Sequence, residues 1–207
     1  SVSAFRRDIE NFFGATRFRP SAEFLGLYGL DANEYGAYEV ATQFNVPGTV
    51  RSEGWEVSYK QALTSLPPWA RGLQVFGNYS SRKTSANNLG PLGFNDIPYS
   101  GSWGLSLTRA KFNLRANWNY RGLNRQAPLT GRSIQASTYT WGAKQLFLDL
   151  QGEVLLRRGF ALFVNLRNVG DATNDTGIYG PGTPEHAQFR QRTTYGSLWS
   201  CGIKGSF

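Results

Sequence analysis

The segment FNLRANWNYR, residues 112–121, alternates apolar and polar side chains without a break. Phe112, Leu114, Ala116, Trp118 and Tyr120 take one parity, and Asn113, Arg115, Asn117, Asn119 and Arg121 take the other. Successive strand side chains point to opposite faces, so this run fits a strand and conflicts with a helix, whose apolar positions recur at three and four residues. The same period returns near the end of the chain. Phe160, Leu162, Val164 and Leu166 oppose Ala161, Phe163, Asn165 and Arg167 until Asn168, where small and polar residues take over. A soluble sandwich could bury one such face and wet the other, so a single strand leaves the environment open.

Extended over the chain, the alternation and the turn residues between runs predict eight strands. The first runs from Val2 to about Phe13. The second runs from about Glu39 to Leu63, interrupted at Pro47 and Gly48. The third covers Leu73 to Ser80, the fourth Tyr99 to Thr108 and the fifth residues 112–121. The sixth sets Leu146, Leu148, Leu150 and Val154 against Asp149, Gln151 and Glu153, and the seventh begins at Phe160. The eighth sets Tyr195, Trp199, Cys201, Ile203 and Phe207 against Leu198, Ser200, Lys204 and Ser206. Residues 25–38, 80–96, 122–138 and 171–189 read as loops.

Two regularities extend beyond any one strand. Long polar or aromatic connections alternate with tight ones at TSLPPWARG, at Arg109 to Lys111 and at Arg157 to Gly159. This is the loop pattern of a transmembrane barrel whose two ends face different compartments. The polar parity also carries Arg115, Arg121, Asp149 and Glu153, charges that a dry core would not hold unpaired. The apolar parity is therefore expected to face lipid, with Trp and Tyr near strand ends as interfacial girdles. A soluble β-sandwich with one wet face is the competing architecture.

Composition narrows the function. The net charge is +8, but the basic residues are dispersed rather than gathered into a run, so nucleic-acid binding is not expected. One cysteine, Cys201, excludes an internal disulfide, and one histidine, His186, does not make a His-based metal site. No apolar run is long enough for a membrane-spanning helix, which leaves a barrel open because barrel strands are only half apolar. Ser1 to Phe13 lacks a basic stretch followed by an apolar one, so no targeting peptide is expected within this piece.

Several short motifs, in order, resemble the carboxy-terminal part of TonB-dependent outer-membrane receptors. Gly54, Trp55 and Glu56 resemble the Gly, hydrophobic, Glu step that opens a descending strand. Leu148, Asp149 and Leu150 resemble the Asp-centred strand before the last hairpin. Asn168 to Asp171 resembles an Asn-Leu-aromatic-Asp corner, with Val169 and Gly170 at the two central positions. Tyr195-Gly196 opens a last strand that ends in Phe207, with Gly205 where the family has an apolar residue. The resemblance covers nearly the whole chain. It implies an all-β, antiparallel transmembrane β-barrel in which residues 1–207 supply about eight carboxy-terminal strands of a barrel of about 22, the plug domain and the amino-terminal strands being absent from this piece.

What the resemblance implies for function is outer-membrane uptake of a scarce small-molecule ligand such as a siderophore, cobalamin or a saccharide, without catalysis, cofactor or metal. The implied partners are outer-membrane lipid, the TonB energy-coupling complex through the amino-terminal part, and the barrel-assembly machinery. Ser200, Gly202 and Phe207 match the terminal assembly signal. In the external loops, Tyr28, Tyr35, Tyr38 and Phe94 are candidates to stack on a ligand, and Arg125 and Arg132 to pair with an anionic chelate. Each is equally readable as loop packing or a solvated charge. The alternative function is a self-contained eight-strand barrel with a structural or adhesion role. A hydrolase would need a nucleophile and base in reach, and His186 lies in a Gly/Pro-rich segment without such a motif.

Overall fold

A computed structural model describes residues 1–45, 48–86, 97–129, 131–135, 137–157 and 159–205. In chain order the strands are β1 (Val2–Glu10), β2 (Phe13–Phe18), β3 (Val40–Asn45), β4 (Thr49–Ala62), β5 (Leu73–Ala86), β6 (Tyr99–Thr108), β7 (Phe112–Arg121), β8 (Asn124–Pro128), β9 (Tyr139–Gly142), β10 (Gln145–Arg157), β11 (Phe160–Arg167), β12 (Asn174–Tyr179), β13 (Phe189–Thr193) and β14 (Leu198–Gly205). Two short helices, α1 (Ala22–Leu27) and α2 (Ala32–Tyr35), lie between β2 and β3. The protein is all-β and its strand pairs are antiparallel.

The eight expected strands form one sheet in the order β1-β4-β5-β6-β7-β10-β11-β14, with β1 and β14 as its edges. It is a meander, because each strand pairs with the next one that crosses the same layer. The remaining strands prolong these eight beyond a bend. The four-stranded sheet β13-β12-β9-β8 repeats the neighbour order of β14, β11, β10 and β7, and the pair β2-β3 repeats that of β1 and β4.

Register sorts the main sheet into two chemically different faces. One row across it reads Tyr59, Gly77, Trp103, Trp118 and Leu148. The next reads Val75, Leu105, Ala116, Leu150, Leu166 and Trp199. The opposite face carries Asn117 beside Asp149 and Arg115 beside Gln151. Among the described residues the parities expected for the third to eighth strands are the observed ones, Ser206 and Phe207 of the eighth lying outside them.

The apolar face is uncovered. Leu114, in the middle of the sheet, is 47 % exposed, and Trp103, Leu105, Leu146 and Leu162 are exposed as well. Among the described residues the buried apolar side chains are Leu25, Val50, Ala70 and Ala161 alone, so a sequence that is 40% hydrophobic builds almost no interior. Among the described residues neither the helices nor the four-stranded sheet forms a layer against this face.

Four expected loops contain more structure than their sequence announced. Residues 25–38 hold α2 and the end of α1. Ser21 caps α1 by accepting a hydrogen bond from the Phe24 N–H, and Asp31 caps α2 through Asn33. Helices of six and four residues are too short to leave an apolar period to read. Strand β5 continues to Ala86, six residues past the expected end at Ser80. The segments 122–138 and 171–189 contain β8, β12 and the first residue of β13. The break expected at Pro47 and Gly48 separates β3 from β4, and Gly48 has a φ of 103°. Pro47 itself lies outside the described residues.

Candidate functional site

The bend between the two sheets holds a network of polar contacts. Asn168 sits just after β11 with a φ of 52°, a left-handed conformation that asparagine tolerates better than most residues. Its side-chain amide donates to the carbonyls of Ala172 (3.2 Å) and Gly196 (3.0 Å), and its Oδ1 accepts from the Ala172 N–H (2.8 Å). Its backbone N–H donates to Oδ1 of Asp149 on β10 at 3.0 Å, while Asn119 on β7 donates to the other carboxylate oxygen at 3.2 Å. Ser197 closes the corner from the far side by donating to the Asn168 carbonyl.

Asn168 is therefore the hub through which β7, β10, β11 and the approach to β14 are held at one level. The chain does not run into an unstructured loop there. It turns the corner, with the Asp171 N–H donating to the Asn168 carbonyl at 2.9 Å, and resumes as β12. The buried polar residues Asn124, Thr138, Thr140, Gln145 and Asn168 belong to this bend and the second sheet, so polar contacts hold it together.

Above the bend, Arg192 on β13 grips Asp175 on β12 with two hydrogen bonds, of 2.8 and 2.6 Å. The guanidinium, helped by the Thr173 hydroxyl, holds the Asp175 carboxyl below its ordinary value. Arg190 donates to the Thr140 hydroxyl at 2.8 Å. Trp141 and Tyr179 meet edge to face at 6.5 Å. Sequence reading passed over these pairs because their members are 17 and 50 residues apart for the two arginine contacts, and nothing local links them.

The expected ligand-contact residues fall into separate groups. Tyr28 is exposed, its ring 5.1 Å from Phe24, which in turn meets Phe18 edge to face at 5.2 Å. Tyr35 and Tyr38 pair with each other at 6.0 Å. Arg125 lies over the Tyr139 ring at 4.9 Å, so its guanidinium already has an aromatic partner. Arg132 is exposed in the turn between β8 and β9. Phe94 lies outside the described residues. The two tyrosine groups share the segment between β2 and β3, whereas the two arginines lie on or beside the four-stranded sheet.

The polar face of the main sheet carries two grooves. One, of about 490 Å³, is lined by residues that include Phe5, Arg7, Glu56 and Arg82. The other, of about 220 Å³, includes Arg115, Glu153, Asn165 and Lys204. Glu153 and Lys204 form an ion pair across β11, and Arg115 stacks over Phe76 at 4.5 Å. Three phenylalanines on this face each lie beside a glycine of the adjacent strand: Phe5 beside Gly54, Phe76 beside Gly104 and Phe163 beside Gly202. A Cβ at those glycines would meet the ring at 2.9, 2.6 and 3.0 Å respectively. Gly202 thus has a packing role in the ring of Phe163, and Ser200 stands opposite Asn165. Phe207, the remaining residue of the terminal motif, lies outside the described residues. Among the described residues no group of three or more His, Cys, Asp or Glu side chains converges.

The apolar face ends sharply. Trp55 and Tyr79 pack at 5.4 Å, and Tyr79 stacks with Tyr99 at 6.5 Å. On the same parity the next rows towards the long loops are Arg6 with Glu53 and Lys83, then Asp8 with Arg51. Asp8 accepts from Arg6 (3.1 Å) and Arg51 (2.7 Å), and chiefly through Arg51 its carboxyl is held below the ordinary range. Apolar residues, a ring and then a charge follow one another along β4 and β5.

Fold and surface together define an all-β protein built on an antiparallel meander with one apolar and one polar face. No family model, curated protein or solved structure matches the chain.

Proposed function

We infer that the chain is the carboxy-terminal part of an outer-membrane transport receptor of the TonB-dependent type, with its apolar face against lipid and its polar face lining the lumen. The observation that carries this reading is the uncovered apolar face bounded by rings and then charges. In water such a face would be an exposed apolar surface of the kind that marks a membrane or partner contact. Against lipid it needs no cover. Dimensions agree: β6 and β7 have ten residues each, within the roughly 9–11 that a tilted strand needs to cross a bilayer. From Phe112 to Tyr120 the strand rises about 27 Å at roughly 3.4 Å per residue, or about 21 Å once tilted, close to the ~25 Å apolar band of outer-membrane barrels.

The receptor assignment, rather than a small closed barrel, is supported by the sheet's two open edges. In an eight-strand barrel β1 and β14 would pair, whereas here each is an edge. A larger barrel supplies further strands to both. On this reading the long-loop end faces outward and bears the ligand contacts, with Tyr28, Tyr35, Tyr38, Phe94, Arg125 and Arg132 as candidates. The energy-coupling complex acts through the amino-terminal part, the assembly machinery reads the terminal strand, and no catalysis is involved.

Cys201 offers a direct test of placement, since it is the one cysteine of the chain and shares the apolar face with Val164. In cells carrying the parent protein, Cys201 should resist a charged, water-soluble thiol reagent until the outer membrane is solubilised and the protein unfolded. Ready labelling in intact membranes would overturn the lipid-facing assignment. Deletion of the parent gene should abolish energy-dependent uptake of one chelated nutrient while leaving passive permeability unchanged.

A further inference from the structure

The tight-turn end of the sheet has a charge pattern that the transport reading leaves unused. Among the described residues its three turns contain Arg71, Arg109 and Lys111, and no acid. The acid nearest to them along the strands, Glu153, is already engaged by Lys204. The long-loop end differs in kind, because there Asp8, Asp175 and their arginines neutralise one another.

The turn between β4 and β5 adds an anchor. Trp69 is 80 % exposed, yet the turn beneath it is fixed. Arg109 of the next turn donates to the Pro68 carbonyl at 2.7 Å, the Thr108 N–H donates to the Gly72 carbonyl at 3.1 Å, and Ala70 is buried. Gly72 has a φ of 88°, and a Cβ there would stand 2.3 Å from the Thr108 carbonyl oxygen, so the turn has little freedom to fold the indole back. An indole held out beside Arg71 and Lys111 suits a membrane interface, where rings of this kind settle at headgroup level and basic groups meet phosphate.

We propose that the tight-turn end is an anionic-phospholipid binding surface, in which Trp69 enters the headgroup layer while Arg71 and Lys111 pair with lipid phosphates. This rests on the membrane placement argued above and adds the lipid class and the residues that select it. Arg109 acts differently: it is spent on Pro68 and serves to position the turn.

The parent protein, refolded into vesicles of phosphatidylcholine alone or with phosphatidylglycerol, tests this by heat-modifiable gel mobility and by quenching from lipids brominated near the headgroup. Insertion should be favoured by phosphatidylglycerol at low salt and less so at high salt. The double variant R71Q/K111Q should lose about fivefold of that preference per cation removed while inserting normally into phosphatidylcholine. Trp69→Leu should lower the headgroup quenching without changing the salt dependence. A control pair at the other end, R6Q/K83Q, should leave the preference intact. Insertion that is indifferent to phosphatidylglycerol, or lost equally in the control pair, overturns this inference alone. Failure to insert into any vesicle overturns the membrane placement with it.

Discussion

The carboxylate of Asp149 accepts the backbone N–H of Asn168 at 3.0 Å across 19 residues of sequence. Through its second oxygen it also holds Asn119. One side chain thereby ties the end of β11 to β10 and β7 at the level where the main sheet bends. Removing it should loosen the corner. Asp149→Ala is expected to cost about 1.5–3 kcal/mol, the range for a hydrogen bond to a charged group, measured by urea unfolding of the parent in vesicles. Asn168→Ala should cost at least as much, since it loses three side-chain hydrogen bonds and puts alanine, which tolerates the left-handed region less well than asparagine, at a φ of 52°. Asp171→Ala, whose side chain takes no part in the corner's hydrogen bonds, serves as the comparison.

Face assignment predicts an asymmetry between neighbours on one strand. Leu114→Arg and Leu162→Arg should each destabilise the assembled parent by roughly 2–4 kcal/mol, the cost of a cation near the bilayer midplane. Asn117→Arg, on the polar face of the same strand as Leu114, should be far milder. Equal losses in a refolding assay would refute the face assignment.

The phenylalanine-glycine pairs separate packing from recognition. Gly202→Val should be destabilising by about 1–3 kcal/mol because the added carbons collide with the Phe163 ring. Trimming the ring in Phe163→Ala should restore part of that loss. If the assembly machinery reads Gly202 directly, outer-membrane assembly of the double variant stays as poor as that of Gly202→Val, which pulse-chase assembly would reveal.

Acid should release the second sheet at one point. The Asp175 carboxyl is depressed by Arg192, so the pair's contribution is fully present above the unfolded carboxyl's value of 3.8 and is lost as pH falls through the lower folded value. Amide exchange at Asn174 to Thr176 should therefore be protected down to about pH 4 and rise below it, after correction for intrinsic exchange. In Arg192→Gln the protection should be weaker at neutral pH and change little with acid.

Strand parity was legible in the sequence because it is local: which of two faces a side chain takes depends only on counting along an extended chain. That is why the faces of β6, β7, β10, β11 and β14 follow from alternation alone, and why the tight turn at Arg109–Lys111 stands where its residues place it. The candidate site was less legible. Tyr28, Tyr35 and Tyr38 announced an aromatic loop, but the partner of Arg125, the Asp175–Arg192 grip and the hub at Asn168 join residues far apart in sequence. Register decides them, and register is a property of the assembled sheet. The bend itself also belongs to tertiary structure. Alternation stops at Asn168 whether the chain becomes a loop or turns a corner into β12, and contacts from elsewhere in the chain, the Asp149 carboxylate with the Gly196 carbonyl and the Ser197 hydroxyl, fix the second outcome.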